Sequence, residues 1–258
     1  MTTPPADASG GTSGDSTGDC SGDCSGRRAE LASNLEVVRQ RIGTACAAAG
    51  RSPDEVTLTV VTKFFPASDV LLLADLGVAD VGENRQQEAE EKIAACASLH
   101  LRWHFVGNLQ SNKAAAVARH VDVVESVDRT KLLAGLSRGA HERGTPLDCL
   151  VQVNLDPDGG DASGRGGAAP ESVVELAEQV SASDGLRLRG LMAVAPPDQD
   201  PRPAFEELAR LAVQIRRVQP AATWISAGMS GDLEQAVESG ATHVRIGSAV
   251  LGTRPLLG

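Results

Sequence analysis

Lys63 closes a short apolar run, Val60-Val61-Thr62-Lys63-Phe64-Phe65-Pro66. The residues before it, Val56 to Val61, are β-branched and largely apolar, so they predict a buried strand with a lysine at its end. An amine in that position is chemically useful as a nucleophile that forms a Schiff base with a carbonyl, most often that of pyridoxal phosphate (PLP). At the ordinary lysine pKa of about 10.4, little of it is free base at neutral pH. Lowering that value by about three units costs the ammonium form roughly 4 kcal/mol, which burial and a neighbouring cation can supply. The same residues also allow a lysine with a buried stem whose head reaches solvent.

Other polar groups stand where apolar runs end. Gly82-Glu83-Asn84-Arg85 offers Asn84 as a hydrogen-bonding side chain and Glu83 as an acid at a helix start. In Trp103-His104-Phe105-Val106-Gly107, His104 alternates with large apolar residues, a pattern commoner for a hydrogen-bonded core histidine than for a catalyst. Ser111 is placed to cap the helix that follows, with Lys113 a solvated residue of that helix. Ser226 to Asp232 leads into a helix expected over 232–239. The free N–H groups at its start and the Ser230 hydroxyl are suited to an anion. Arg245-Ile246-Gly247-Ser248 brings a glycine that allows close backbone approach and a further hydroxyl. Each of the last two segments alone reads equally well as an ordinary helix cap. An arginine facing a pyridine nitrogen can only donate, which leaves the ring unprotonated and a weak electron sink. The alternative for Arg245 is an ion pair at a strand end.

These groups need a scaffold that collects strand ends. The chain has 258 residues, 41% of them apolar but only 2% aromatic, so its core must be aliphatic. A domain of this size buries roughly 70–75% of its extended-chain surface without disulfide or metal staples. Strands are expected near 56–62, 79–82, 101–106, 121–126, 148–154, 188–194, 223–226 and 242–246, with helical stretches between them. The clearest helix spans 203–218, with Phe205, Leu208, Leu211 and Ile215 on one face. An amphipathic first helix carries Leu31, Leu35, Val38 and Ile42. Eight strands alternating with helices predict an α/β fold, a single (β/α)8 TIM barrel with an extra N-terminal helix. An open doubly wound sheet is the competing architecture. In such a barrel the chemistry gathers at the C-terminal strand ends, and phosphate sites recur after strands seven and eight.

Residues 1–26, rich in Gly, Ser and Asp, read as a disordered tail before a domain over 27–258. Cys20 and Cys24 with neighbouring aspartates could hold a metal in principle; free thiols on the tail are the preferred reading. The loop 156–169 reads as a surface loop or lid and fits neither a calcium loop nor a dinucleotide fingerprint. A net charge of −10 argues against a nucleic-acid surface. No apolar run approaches a membrane span, and no secretory signal opens the chain. Five cysteines, an odd number, point to a reducing compartment, and the cytoplasm is the expected setting.

Taken together, Val61-Thr62-Lys63, Val81-Gly82-Glu83-Asn84, His104-Phe105-Val106-Gly107 with Leu109-Gln110-Ser111-Asn112-Lys113, Gly190-Leu191-Met192, Gly228-Met229-Ser230 with Asp232, and Val244-Arg245-Ile246-Gly247 resemble the pyridoxal phosphate homeostasis family, the single-barrel YggS/PROSC-like proteins. The resemblance covers about residues 29–254. It implies a barrel like the N-terminal domain of alanine racemase, with Lys63 as the lysine that carries PLP. It further implies phosphate contacts from Ser230 and the Gly247–Ser248 turn, Arg245 beside the pyridine nitrogen, and Asn84 near the cofactor. A second lysine that the family often has shortly after the first is replaced here by Phe64-Phe65.

The resemblance implies a PLP carrier, a monomer that serves vitamin B6 homeostasis and has apo PLP-dependent enzymes among its partners. The alternative is an amino-acid racemase or another weak PLP enzyme. Racemisation needs proton transfer on both faces of the substrate. The sequence contains no tyrosine, the residue alanine racemase uses on the second face, and it stops shortly after Arg254. The carrier is therefore expected. A phosphate-binding barrel enzyme without PLP remains as a third class and would leave Lys63 unexplained.

Overall fold

The computed structural model describes residue 1 and residues 21–156 and 166–253. Eight parallel strands close into one barrel in sequence order: β1 (Thr57–Val61), β2 (Asp80–Glu83), β3 (Arg102–Phe105), β4 (Val123–Val127), β5 (Leu147–Val153), β6 (Leu186–Ala193), β7 (Trp224–Ser226) and β8 (His243–Ile246). Closure is made by β1 on β8, with Thr57 opposite His243 and Val60 opposite Ile246. This is the (β/α)8 barrel expected from the strand pattern, and each strand lies within two residues of its predicted position.

Helices α2 (Ala67–Asp75), α3 (Gln86–Ala95), α4 (Ala114–His120), α5 (Leu133–Arg143), α6 (Val173–Ala182), α7 (Arg202–Val218) and α8 (Leu233–Glu238) fill the connections, and α9 (Ser248–Leu251) follows β8. Parallel neighbours demand such crossovers, and the helices' apolar faces cover the outside of the strands. α7 buries Phe205, Leu208, Leu211 and Ile215, the face its spacing predicts. Ser111 does not cap α4: the cap position belongs to Lys113, with no side-chain cap bond, because a separate turn over 111–113 intervenes.

The extra helix α1 (Ser21–Ala48) starts ahead of Arg27 and buries Leu31, Leu35, Val38 and Ile42. It packs on α8 and α9, the helices that follow β7 and β8. Most of the proposed tail, including Cys20, lies outside the described residues, as do the Cys24 side chain and most of the loop 156–169.

The core has two layers. Between strands and helices it is aliphatic, as the shortage of aromatics requires. Inside the barrel, alternate residues of each strand meet, and this interior is mixed. Val123, Leu150 and Met192 form a small apolar cluster with Trp224 packed against it. Gly190 has no room for a side chain, since a Cβ there would fall on the Trp224 carbonyl where β6 and β7 approach.

Candidate functional site

A cavity of about 390 Å³ opens at the C-terminal ends of the strands. Its lining includes Lys63, Ser230, Arg245, Gly247 and Ser248, five of the six residues singled out from the sequence. The sixth, Asn84, lies in a neighbouring depression with Asn108, Gln110 and Lys113, and its buried Oδ1 has no hydrogen-bond partner among the described residues.

The five members are delivered by the ends of three strands, β1, β7 and β8. Lys63 follows β1 directly. Ser230 lies in the turn between β7 and α8, where the Met229 N–H donates to Asp232 Oδ1 at 2.6 Å. Gly247 follows β8, and a Cβ there would lie 3.2 Å from the Val61 carbonyl oxygen, so glycine lets the two strand ends close up. The Ala249 N–H and the Ser248 hydroxyl both reach Ser230 Oγ at 3.3 Å, which ties the two turns into one hydroxyl- and N–H-rich corner.

The added helix α1 braces that corner from outside. Arg41 donates to the Ser230 carbonyl at 3.0 Å and pairs with Glu234 at 2.7 Å, while Asn34 donates to the Val250 carbonyl at 2.9 Å. Sequence periodicity found this helix but not its polar bracing role.

Arg245 comes up through the barrel interior. It donates through Nη1 to Ser226 Oγ at 2.6 Å and through Nη2 to the Ala193 carbonyl at 2.8 Å. Ser226 Oγ donates in turn to Glu125 Oε2 at 2.6 Å, and the guanidinium stands 3.7 Å from the same oxygen. Strands β4 and β7 are not neighbours, so Glu125 and Ser226 meet only across the interior. Glu125 Oε1 faces His104 Nδ1 at 2.7 Å, and His104 Nε2 faces Asp80 at 2.9 Å. His104 is thus a buried hydrogen-bonded core residue, as its pattern suggested. Both its nitrogens face carboxylates, so the ring is held as a cation.

The titration of this chain follows from its partners. Burial alone would lower His104, but Asp80 and Glu125 outweigh it and raise the group to about 9. Burial alone would raise Glu125, but His104, Arg245 and Ser226 hold it at about 2. His243, on the same strand as Arg245, is pushed down to about 4, chiefly by burial. Burial also lowers Arg245, and Glu125 opposes that shift.

Glu125 was not anticipated as part of the site. A signal was present: an acid inside the apolar run Val123-Val124-Glu125-Ser126-Val127 must find a partner once buried. Glu83, read as a helix-start acid, is instead fully buried and pairs with Lys92 Nζ at 2.6 Å.

A phosphorylated pyridine aldehyde fits this constellation. The cavity volume lies within the usual range for small-ligand sites, about 300–1,000 Å³. Ser230 and the Gly247–Ser248 turn offer hydroxyl and N–H groups suited to a phosphate. Arg245 has five N–H donors and spends two on Ser226 and Ala193, so donors remain for an acceptor in the cavity. The remaining walls, Val61, Phe65, Val106, Met192, Val194 and Met229, are apolar.

Residues 28–255 match the family model described as the alanine racemase N-terminal domain. The chain is 43% identical over 249 residues to a pyridoxal phosphate homeostasis protein of Mycobacterium tuberculosis, covering 89% of this chain and 95% of the relative. To the protein of the same name in Escherichia coli it is 38% identical over 231 residues, covering 87% and 97%. Among solved structures, PipY of Synechococcus elongatus with PLP bound aligns with a TM-score of 0.74 at 32% identity, covering 86% of this chain and all of that one.

Proposed function

This chain belongs to the pyridoxal phosphate homeostasis family, built on the alanine racemase N-terminal domain, and from that premise we propose that it binds PLP as a Schiff base on Lys63 and serves PLP homeostasis rather than catalysis. The observation that carries the proposal is the single cavity that gathers Lys63, Arg245, Ser230, Gly247 and Ser248 from the ends of β1, β7 and β8. PLP supplies an aldehyde for the lysine amine and a conjugated ring that absorbs in the visible. The protein's part is to hold the phosphate at the Ser230 corner, to keep Arg245 as a donor at the ring edge, and to present Lys63.

The lining favours a carrier over a racemase. Among the described residues around the cavity, Lys63 and Arg245 are the only ionisable side chains, and arginine cannot serve as a base. A two-base proton transfer across the substrate plane therefore lacks its second group there. Phe64-Phe65 also replaces the second lysine common in the family, so covalent retention of the cofactor rests on Lys63. On this reading the protein is a cytoplasmic monomer that supplies PLP to apo PLP-dependent enzymes. Among the described residues, the buried thiols of Cys46, Cys96 and Cys149 form no disulfide, which agrees with a reducing setting.

The test is the visible spectrum of the purified protein before and after borohydride reduction, with peptide mapping of the adduct. Reduction is expected to fix the chromophore on the Lys63 peptide, and Lys63→Ala to abolish it while leaving the fold intact. A protein that takes up no added PLP, or a link at another lysine, overturns the assignment. Lys63-dependent racemisation at enzyme-like rates would instead establish the racemase. Arg245→Ala is expected to shift the cofactor band and weaken binding.

A further inference from the structure

A second polar cluster lies behind Lys63, between β1, β2 and α3, and lines no part of the cavity. Lys92 Nζ donates to Glu83 Oε1 at 2.6 Å, to Glu88 Oε1 at 2.7 Å and to the Thr62 carbonyl at 2.7 Å. Three acceptors saturate its three N–H bonds, and the side chain is buried. Lys92 is therefore no rival to Lys63 as a nucleophile. Glu88 Oε1 also accepts the Phe64 N–H at 2.5 Å, and the Phe65 N–H returns to the Thr62 carbonyl at 3.0 Å. Thus the carbonyl before Lys63 and the N–H after it both end on one i, i+4 pair of α3.

The turn they hold is strained. Phe64 has φ 71°, the left-handed region that bulky side chains rarely enter. Such a conformation persists only where its surroundings over-determine it, and charge-assisted hydrogen bonds are strong enough to do so.

We propose that Glu88 and Lys92 are positioning residues for Lys63: they clamp the 62–64 backbone in its strained turn and so aim the Lys63 amine into the cavity at the carbonyl of PLP. The inference rests on the assignment of Lys63 as the PLP-binding lysine. In the reaction it serves, the deprotonated amine adds to the aldehyde carbon, C=N replaces C=O, and one water leaves with no change of redox state. Misplacing a reacting group by about 1 Å can cost on the order of 100-fold in rate, so a clamp on the neighbouring peptides acts directly on this step.

The experiment mixes PLP-free full-length protein with PLP in a stopped-flow instrument and follows the imine band. Affinity for pyridoxine 5′-phosphate, which has the phosphate but no aldehyde, is measured alongside by calorimetry. Glu88→Ala is expected to slow imine formation by roughly tenfold or more while leaving affinity for the aldehyde-free analogue unchanged. Glu88→Gln, whose amide oxygen still accepts the Phe64 N–H, should retain most of the rate. Phe64→Gly added to Glu88→Ala should restore part of it, because glycine enters positive φ without steric cost. A merely structural role would instead lower melting temperature and analogue affinity together, with no rescue at position 64. Glu88→Asp keeps the charge beside Lys92 but falls short of the Phe64 N–H, and should also slow the reaction even if Glu88→Ala does not fold. Wild-type protein that forms no imine at Lys63 overturns both this inference and the assignment beneath it. A wild-type imine formed at an unchanged rate in Glu88→Asp or Glu88→Ala overturns this inference alone.

Discussion

Two buried ion networks flank the barrel wall, and they end on different kinds of atom. The inner one runs Asp80, His104, Glu125, Ser226, Arg245 and ends on a guanidinium that lines the cavity. The outer one joins Thr62, Glu83, Glu88 and Lys92 and ends on backbone groups either side of Lys63. The inner network matches two acids with two cations. In the outer one two acids share a single cation, and Glu83 Oε2 has no hydrogen-bond partner among the described residues. Burial accordingly pushes the Glu83 carboxyl up, with Lys92 and Thr62 only partly opposing it. The same residue chemistry therefore does two jobs. Inside, balanced charge fixes an electrostatic donor; outside, hydrogen bonds fix the shape of a chain turn.

The largest expected effect that would break this contrast lies in the inner network. Glu125→Ala leaves His104 and Arg245 without their shared acid and is expected to cost about 3–5 kcal/mol of stability, read from denaturant unfolding. A loss well under that would mean that solvent screens the interior, and the two networks would then be alike.

A smaller effect is the dependence on pH. His104 has its pKa raised from 6.5 to about 9, so the native state holds its proton more tightly than the unfolded chain. That contribution, roughly 3 kcal/mol, is complete below the unfolded value and is lost as pH rises through about 9. His243 shifts the other way, to about 4, so the unfolded chain binds the extra proton and stability falls as pH drops from 6.5 towards about 4. The depressed Glu125 adds a further loss as pH falls from 4.5 towards about 2. The two histidines together therefore place their most stabilising pH near 6.5, as melting curves across pH would report. His104→Gln should remove the alkaline limb; a limb that survives would assign it to another group.

The smallest effect sharpens the contrast from the outside. Thr62→Val keeps the shape of a fully buried side chain but deletes its 2.6 Å hydrogen bond to Glu83. It should cost about 1 kcal/mol in denaturant unfolding. A loss well above that would show that Thr62 also holds the Glu83 charge that burial opposes.

Much of the scaffold was legible in the sequence, because strand and helix periodicities are local. Apolar runs marked every strand, and α7 and α1 showed their buried faces as spacing alone. The cavity residues were legible for a related reason: barrel topology puts every strand end at one mouth, so Lys63, Ser230, Arg245 and Gly247 could be assembled from their order. Glu83 was misread because its neighbours offered a ready helix-start role. Glu88 and Lys92 carry no mark in the sequence beyond i, i+4 spacing, and only packing shows that the wall of β1 and β2 buries Lys92.

By itself, then, the sequence determined which segments are strands, favoured their closure into one barrel, and marked polar groups that stand at its mouth. Tertiary structure alone decided how those groups are charged and aimed. Glu125 reaches Ser226 across 101 residues of chain, and Arg41 reaches the Ser230 carbonyl across 189. Contacts of that kind leave no periodic trace, because they depend on the parity of each strand and on barrel closure, which set the side of the wall an acid faces and the cation waiting there.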